Sequence, residues 1–300
     1  MDEAIQEYRQ LLNDTANVVE EIASVESWHE VATSEAAREI ELATTEVESQ
    51  LTESSIRTAY SVVQMGIHVC VQHARAASEI LGLQISPLSV EVLARAAVET
   101  AASTWWITEQ GIGARRRVCR LQLLRVKSAM ELRKLTDEIG DANTDRRFGE
   151  NEEDVLAYST MVGLRPFSNK SRRQNARCEL DVLPTYTARA NDLLSFYGAS
   201  HAYMMLSGSA HGEIWSILRH FRDEADTADV ENPLRRLVPN RTAIRGATSI
   251  LLLSMVSQID ATFRLFGWNE DSSQSLLWWP HRITIPRVMG WEALRPDEST

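Results

Sequence analysis

The stretch of residues 57–82, RTAYSVVQMGIHVCVQHARAASEILG, decides the fold class. Apolar residues such as Val62, Met65 and Ile67 lie on nearly every side of a helix drawn through it. A helix that is apolar all round is buried inside a protein. We therefore expect residues 57–82 to form a central helix that ends at Gly82, since glycine commonly follows the last helical turn.

Helical patterns continue on both sides of this stretch. The predicted helices cover residues 88–109, 114–139, 152–162, 184–198, 199–221 and 241–266. The last of them is strongly apolar, which places it in the core, and Gly267 marks its end. The chain holds only 8 Pro and 13 Gly, and no multi-strand pattern is present in the sequence. The sequence therefore predicts an all-α, multi-helix bundle.

Two segments are expected to lie outside the regular bundle. The region near residues 140–183 is polar and rich in turn formers, which predicts a mobile, exposed loop around the short helix at 152–162. The tail from residue 275 carries several Trp and Pro residues. We expect it to be an extended segment that packs back on the body.

The net charge of −11 is concentrated at the N-terminus. Residues 1–55 contain 14 Asp and Glu but only 2 Lys and Arg, whereas residues 56–300 are nearly neutral. Apolar residues recur in the first segment at Ile5, Leu12 and Val19 in a helical three-four rhythm. We predict an acidic N-terminal helical arm at 1–55 and a helical-bundle domain at 56–300. The arm is interpreted as a solvated outer layer, a dimerisation arm or a cover for a basic face.

Cysteine usage and the lack of targeting signals predict a cytoplasmic protein. Cys70, Cys119 and Cys178 are far apart and form no CxxC pair, so we expect reduced, structural thiols. The first residues are acidic and contain no apolar segment, unlike a signal peptide. The longest apolar run, residues 250–256, is too short to span a bilayer, and no membrane partner is expected.

Residues 114–139 form the basic helix of the chain, in which Arg and Lys are set against an apolar stripe. One interpretation is an amphipathic surface helix paired with the acidic arm. The other is a surface that faces phosphate or nucleic acid, with Arg116 and Arg120 as candidate ligand-binding residues. The acidic net charge argues against broad nucleic-acid binding, and the sequence holds no DNA-specific motif.

A polar stripe on the helix expected at 199–221 is the strongest candidate site. Tyr203, Ser207 and His211 follow one another at four-residue steps and therefore share one helix face. Gly208 and Gly212 flank the stripe, which allows another backbone or a ligand to approach closely.

A second polar pair is predicted on the helix expected at residues 88–109. Arg95 and Glu99 lie one turn apart, where an isolated charge is costly, so we expect them to be paired. Ser207 and His211 have the spacing of a nucleophile and its base, with Glu99 as the candidate orienting acid. The catalytic candidates are His211, Ser207 and Glu99, and Arg95 and Tyr203 are ligand-binding candidates. The alternative is a buried polar network that only fixes the helix register.

No metal site or cofactor is expected from the sequence. His68, Cys70 and His73 lack the four-residue spacing that aligns two ligands on a helix. Residues 26–29 form a single ExxH motif, whereas helical di-iron proteins need two such motifs and two further carboxylates. The sequence also lacks a phosphate-binding glycine loop and a nucleophile elbow.

The stretch NDLLSFYGA, residues 191–199, resembles the magnesium-binding motif of class I terpene cyclases. Asn191 and Ser195 match it, whereas Ala199 stands at the position of the acidic ligand. The Asp-rich partner motif is absent before residue 120. One alternative function is therefore a terpene-cyclase-like enzyme with a degenerate metal motif. Another is a helical interaction scaffold that works through the acidic arm.

Two segments carry a further resemblance: RAAVETAASTWWI at residues 95–107 and YMMLSGSAHG at residues 203–212. They resemble paired segments of a broad group of mostly actinobacterial, all-helical proteins that is distantly similar to the HEPN superfamily. That superfamily includes toxin and phage-defence ribonucleases. The resemblance covers about residues 57–265 and implies a helical bundle with a polar pocket.

The resemblance does not extend to the ribonuclease motif of HEPN proteins, an Arg followed by a His after four to six residues. The resemblance without this motif leads us to expect a HEPN-like defence or accessory protein that binds a nucleotide or RNA through the polar pocket. We also expect it to form a homodimer.

Overall fold

The computed structural model describes residues 3–24, 28–45, 51–83, 87–139, 154–161, 178, 180–215 and 241–268, with residues 274, 277, 278, 280, 281, 284 and 285 of the tail. Helix accounts for 83% of this part of the chain, which contains nine helices and no strand. The prediction of an all-α, multi-helix bundle is therefore confirmed.

Most of the helices match the apolar patterns of the sequence closely. They are α1 (Glu3–Ile22), α2 (Glu35–Thr45), α3 (Glu53–Gly82), α4 (Pro87–Ile107), α5 (Gly113–Ile139), α6 (residues 154–161), α7 (Tyr186–Phe196), α8 (Ala202–Ala210) and α9 (Arg241–Phe266). Local signals fix several ends. The Thr52 and Ser55 side chains form a capping box at the start of α3. The Thr185 hydroxyl accepts a bond from Ala188 N at the start of α7.

Helices α3, α4 and α9 pack together at the centre of the bundle. Gly66 of α3 lies so close to α4 that a Cβ atom built there would be 2.3 Å from Thr104 Cγ2. The Thr104 hydroxyl donates to Gln258 Oε1 of α9 over 2.9 Å, and Gln258 Nε2 donates to Cys70 Sγ of α3 over 2.9 Å. Burial raises the pKa of the Cys70 thiol to about 12. These bonds tie the three central helices together.

The acidic segment at 1–55 contributes two helices that pack on the bundle. Helix α1 buries Leu12, Val19 and Ile22 in the main core and leaves its acidic side exposed. The residues after it contact the end of α9, where the backbone N–H of Val31 donates to Phe266 O. The segment is therefore part of the packed structure.

Helix α2 covers one arginine of the basic helix α5. Arg117 is fully buried, and its Nε and Nη2 atoms both donate to Glu39 over 2.9 Å. The Arg117 Nη2 atom also donates to Glu35 over 2.8 Å, and the Tyr60 hydroxyl donates to Glu39 over 2.7 Å. Burial and the Glu39 charge both raise the pKa of Tyr60. At this position the basic helix α5 is paired with the acidic arm. This contact agrees with the interpretation of α5 as an amphipathic helix that pairs with the arm.

Two sequence-based predictions are wrong. Cys119 of α5 forms a disulfide with Cys178, so only Cys70 is the reduced, buried thiol that was expected of all three. The described residues of the tail are helical rather than extended. The tail does pack back on the body, because Trp278 is buried and its Nε1 donates to Asp260 over 3.2 Å.

Helix α9 is long and apolar enough to cross a membrane by length and composition. Its apolar window is 78% buried inside the bundle, as the core helix of a folded domain also would be. No other helix in the described part of the chain meets this test. The predicted loop near 140–183 lies mostly outside the described residues, although α6 falls within the helix predicted at 152–162.

Candidate functional site

Helix α8 ends much earlier than the sequence predicted, at Ala210 rather than at residue 221. Gly212 adopts a φ of 68°, a left-handed conformation that glycine tolerates. The backbone N–H of Glu213 donates to Gly208 O and that of Gly212 donates to Ser209 O, over 2.9 and 3.2 Å. These two bonds form a Schellman motif, which stops the helix. His211 is therefore the C-cap residue, and its side chain is exposed.

The predicted polar residues of α4 and α8 meet in one network. Arg95 Nε donates to Glu99 Oε1 over 2.8 Å within α4. The Tyr203 hydroxyl of α8 donates to the same oxygen over 2.7 Å. Arg95 Nη1 lies 3.0 Å from His211 Nε2. The structure thus brings Arg95, Glu99, Tyr203 and His211 together.

The contact between Arg95 and His211 determines which nitrogen of the imidazole carries the proton. A guanidinium only donates hydrogen bonds, so His211 Nε2 accepts. In a neutral imidazole the proton then lies on Nδ1. The Nδ1–H group of His211 is consequently the donor that this side chain offers to a ligand.

The network lies partly inside the protein, and burial shapes its charges. Burial, the hydrogen bond to Glu99 and the Glu99 charge all raise the pKa of Tyr203, which is only 4% exposed. Burial lowers the pKa of Arg95, but the bond to Glu99 and its charge outweigh burial and leave the pKa raised. The neighbouring Glu99 therefore favours the charged form of Arg95.

A second guanidinium lies near this pair. Arg189 of α7 is 3% exposed, its Nη1 donates to Pro184 O over 2.6 Å, and it stacks over the Tyr186 ring. Its Nε has no hydrogen-bond partner within the described residues. Burial lowers the pKa of Arg189, and the charge of Glu99 partly opposes this effect.

Beside the network, a groove of about 890 Å³ runs between α7 and α8. It is lined by Thr187, Asn191, Tyr203, Met204, Met205, Ser207, Gly208, His211, Glu213 and Trp215. The side chains of Asn191 and Ser207 make no hydrogen bond to any residue that the structure describes, so their polar atoms are available to a ligand. The groove therefore offers unbonded polar groups within a mostly apolar lining.

One wall of the groove is aromatic. A Cβ atom built on Gly208 would be 2.3 Å from Trp215 Cζ2, so the glycine allows the indole to lie directly on α8. Trp215 remains 46% exposed, and Met204 beside it is 61% exposed. An exposed indole and a flexible thioether form a surface on which a flat ligand can stack.

The predicted Ser–His–Glu arrangement does not form in this structure. The Ser207 hydroxyl makes no bond to His211, and His211 Nε2 is occupied by Arg95. Glu99 binds Arg95 and Tyr203 and makes no described bond to His211. Ser207 and His211 line the groove and Glu99 lies in the adjoining network, but the three residues lack the contacts that activate a nucleophile. The arrangement is suited to ligand recognition.

Arg116 and Arg120, the other predicted ligand-binding residues, lie in a separate cluster. Both donate through Nε to Asp181 Oδ2, over 2.9 and 2.7 Å. Arg120 also pairs with Glu109 over 2.6 Å and stacks on Trp106 at 4.7 Å. Both guanidinium groups are thus paired with carboxylates of the same chain, and no described bond joins either of them to the network around Glu99.

The described residues contain no group of three or more His, Cys, Asp or Glu that could bind a metal ion. They therefore add no support to the metal motifs considered in the sequence. Asn191 lines the groove, and Ser195 is exposed on α7. Glu26 of the ExxH motif lies outside the described residues. Burial lowers the pKa of His73 on α3.

Sequence reasoning missed three residues of this site, Thr187, Trp215 and Arg189. Thr187 lies four residues before Asn191, and this helical spacing was a readable signal. Trp215 was hidden inside a helix that was predicted too long. Arg189 gave no signal, because its burial depends on how α7 packs against α4.

No family model matches the chain, and neither the curated proteins nor the solved structures contain a match.

Proposed function

We propose that the groove between α7 and α8 binds a nucleotide, either free or at the end of a short RNA, in a HEPN-like defence or accessory protein. The observation that carries the proposal is the exposed indole of Trp215 in a groove that also offers the unbonded polar groups of Asn191 and Ser207. Aromatic side chains that stack on bases, together with nearby cations, are the usual means of binding single-stranded nucleic acid.

Each part of a nucleotide has a matching group in the groove. The base would stack on Trp215, and the unbonded amide of Asn191 would pair with a base edge, as Asn does with adenine. Ser207 would bond to the sugar. Arg95 uses Nε and Nη1 within the network, and a side-chain hydrogen bond also joins its guanidinium to Tyr203. The positive charge of Arg95 and the Nδ1–H group of His211 would bind a phosphate.

The resemblance of residues 95–107 and 203–212 to HEPN-like proteins supports the same ligand class. The network gives no support for ribonuclease chemistry, because it lacks an activated nucleophile and a free base. We also expect this protein to form a homodimer and to be located in the cytoplasm.

The test is equilibrium binding of AMP, ATP and a short single-stranded RNA, measured by calorimetry. We expect Trp215→Leu to weaken binding about fivefold to 150-fold, since base stacking contributes about 1–3 kcal/mol per base. Met65→Ala is the matched control, because Met65 is also exposed but lies on α3. It should bind like wild type.

Comparison of the three ligands separates a free nucleotide from an RNA end. Binding of AMP or ATP with the affinity of the RNA identifies a mononucleotide site, and much tighter RNA binding identifies an RNA site. The proposal fails if none of them binds at millimolar concentration or if Trp215→Leu leaves the affinity unchanged. Binding of an isoprenyl diphosphate with magnesium in their place would support the terpene-cyclase-like alternative.

A further inference from the structure

One carboxylate of the groove has no role in the nucleotide contacts proposed so far. Glu213 lines the groove, and its side chain is exposed. The carboxylate forms no ion pair or hydrogen bond with any residue that the structure describes, whereas that of Glu99 accepts bonds from Arg95 and Tyr203. A ligand in the groove can therefore reach the Glu213 carboxylate.

The turn after α8 holds Glu213 beside Trp215. The backbone N–H of Glu213 donates to Gly208 O over 2.9 Å, which fixes this part of the main chain against α8. The six-membered ring of Trp215 lies on the same glycine, since Cζ2 and Cη2 would be 2.3 and 2.6 Å from a Cβ atom built there. Gly208 thus positions both residues on one wall of the groove. A base that stacks on the indole would then present an edge toward the carboxylate.

The charge of Glu213 determines which part of a nucleotide it can contact. A carboxylate repels a phosphate, because both groups are negative. In the proposed arrangement the phosphate lies at Arg95 and His211, so the base is the part that remains for Glu213. An ionised carboxylate only accepts hydrogen bonds, and its two oxygens are well suited to two parallel N–H groups.

The bases differ in the N–H groups that they offer to such an acceptor. Guanine presents two adjacent donors on its Watson–Crick edge, N1–H and the N2 amino group. Adenine presents its N6 amino group beside N1, an acceptor that a carboxylate oxygen repels. The amide of Asn191 both donates and accepts, so it pairs with either purine and does not choose between them. The carboxylate therefore favours guanine.

We infer that Glu213 makes the groove selective for guanine, by accepting hydrogen bonds from N1–H and the N2 amino group of a base that stacks on Trp215. The inference rests on the proposed nucleotide binding and adds the identity of the base. Guanine is the shared chemistry of the two possible sources of the ligand, a free guanine nucleotide and an RNA that ends in G.

The test is calorimetry of GMP, IMP and AMP with the full-length protein. IMP has the edge of guanine without the N2 amino group, so it loses one of the two bonds. We expect GMP to bind about fivefold or more tightly than AMP. This ratio is the lower end of the effect of a bidentate pair, because the carboxylate is exposed to water. IMP should bind with an affinity between those of GMP and AMP.

Two short RNAs of otherwise identical sequence, one ending in G and the other in A, make the same comparison for an RNA end. A preference for guanine among the mononucleotides identifies a free nucleotide as the ligand. A preference that is present only between the two RNAs identifies an RNA end. Either result supports the role of Glu213.

Substitutions assign the preference to one side chain. Glu213→Gln keeps the length of the side chain but removes its charge and one acceptor oxygen, so the ratio of GMP to AMP affinity should fall to about one. Asp192→Asn is the matched control, because Asp192 is also exposed but does not line the groove. It should keep the preference. Trp215→Leu should weaken GMP, IMP and AMP alike, since every base can stack on an aromatic ring.

Equal affinities of the wild-type protein for guanine and adenine, in the mononucleotides and in the RNAs, would overturn the inference and leave the proposed nucleotide binding intact. A preference that persists in Glu213→Gln would also overturn it, because another residue would then select the base. If none of these ligands binds at millimolar concentration, the proposed function and this inference both fail.

Discussion

The hydroxyl of Tyr203 donates a hydrogen bond of 2.7 Å to Glu99, although the two residues are 104 positions apart in the chain. This bond joins α8 to α4, and Arg95 holds the same carboxylate from within α4. The network therefore fixes the position of α8 and also forms one edge of the groove. The network can be interpreted as a structural element or as part of a ligand-binding site, and both interpretations involve the same side chains. Mutations that change stability test the first interpretation, and mutations that change binding test the second.

Tyr203→Phe should lower the free energy of unfolding by about 1.5–3 kcal/mol, because it removes a buried hydrogen bond to a charged group while the ring still packs. Urea denaturation of the variant and of wild type measures the difference. Tyr186→Phe is the matched control, since the Tyr186 hydroxyl makes no bond to a described residue and its side chain is 45% exposed. An equal effect of both substitutions would contradict the prediction.

Arg117→Ala should destabilise the protein strongly, by about 3–5 kcal/mol, because it leaves the buried Glu39 carboxylate without a positively charged partner. Arg57→Ala also removes an arginine that binds two carboxylates, but Arg57 is half exposed. It should cost less than about 1 kcal/mol. Chemical denaturation distinguishes the two cases. Similar losses would mean that the bidentate pair contributes no more than a surface ion pair.

The stability contribution of Asp181 should depend on pH. Burial alone raises the pKa of Asp181, but the hydrogen bonds from Arg120 and Arg116 outweigh burial and hold the pKa below its ordinary value. A lowered pKa in the folded state stabilises the protein above the ordinary carboxyl pKa of about 3.9, and this stabilisation is lost as the pH falls through the lowered value.

We therefore expect Asp181→Asn to be less stable than wild type at pH 7, with a gap that narrows as the pH falls below about 4. Thermal unfolding at a series of pH values measures the gap. Asp192→Asn, at an exposed position on α7, should track wild type throughout. A gap that stays constant with pH would show that Asp181 acts by shape alone.

Alanine substitutions at two helical glycines should have opposite signs. Gly66→Ala should lower the free energy of unfolding by about 1–3 kcal/mol, since its Cβ would clash with Thr104, whose hydroxyl bond to Gln258 prevents the side chain from rotating away. Gly246→Ala should raise it by about 0.5–1 kcal/mol, because nothing surrounds the new methyl group. Denaturation curves of both variants measure the two changes in the free energy of unfolding. Changes of the same sign would contradict the prediction.

The sequence was sufficient for the helices whose ends carry strong signals. The bounds of α9 were predicted correctly, because an apolar pattern runs without interruption up to Gly267. The end of α8 was predicted wrongly, although Gly212 is a typical glycine of a helix end. Apolar residues beyond it, including Ile214 and Trp215, continue a helical pattern across the turn, and this pattern outweighed a single glycine.

The candidate site was predictable in part. Spacing along each helix identified Arg95 with Glu99, and Tyr203 with His211, as pairs on a shared face. The contact between the two helices depends on tertiary packing, which cannot be predicted from the spacing of residues in a single sequence. For the same reason, Asp181 could not be foreseen as the partner of Arg116.

The disulfide joins two cysteines that are 59 residues apart and closes the intervening chain into a covalent ring. A single peptide-bond cut anywhere between residues 120 and 177 would open the backbone without separating the molecule. The two pieces of the chain would remain one covalent unit through this disulfide. A protein nicked in this ring should migrate as one band on a non-reducing gel and as two bands after reduction.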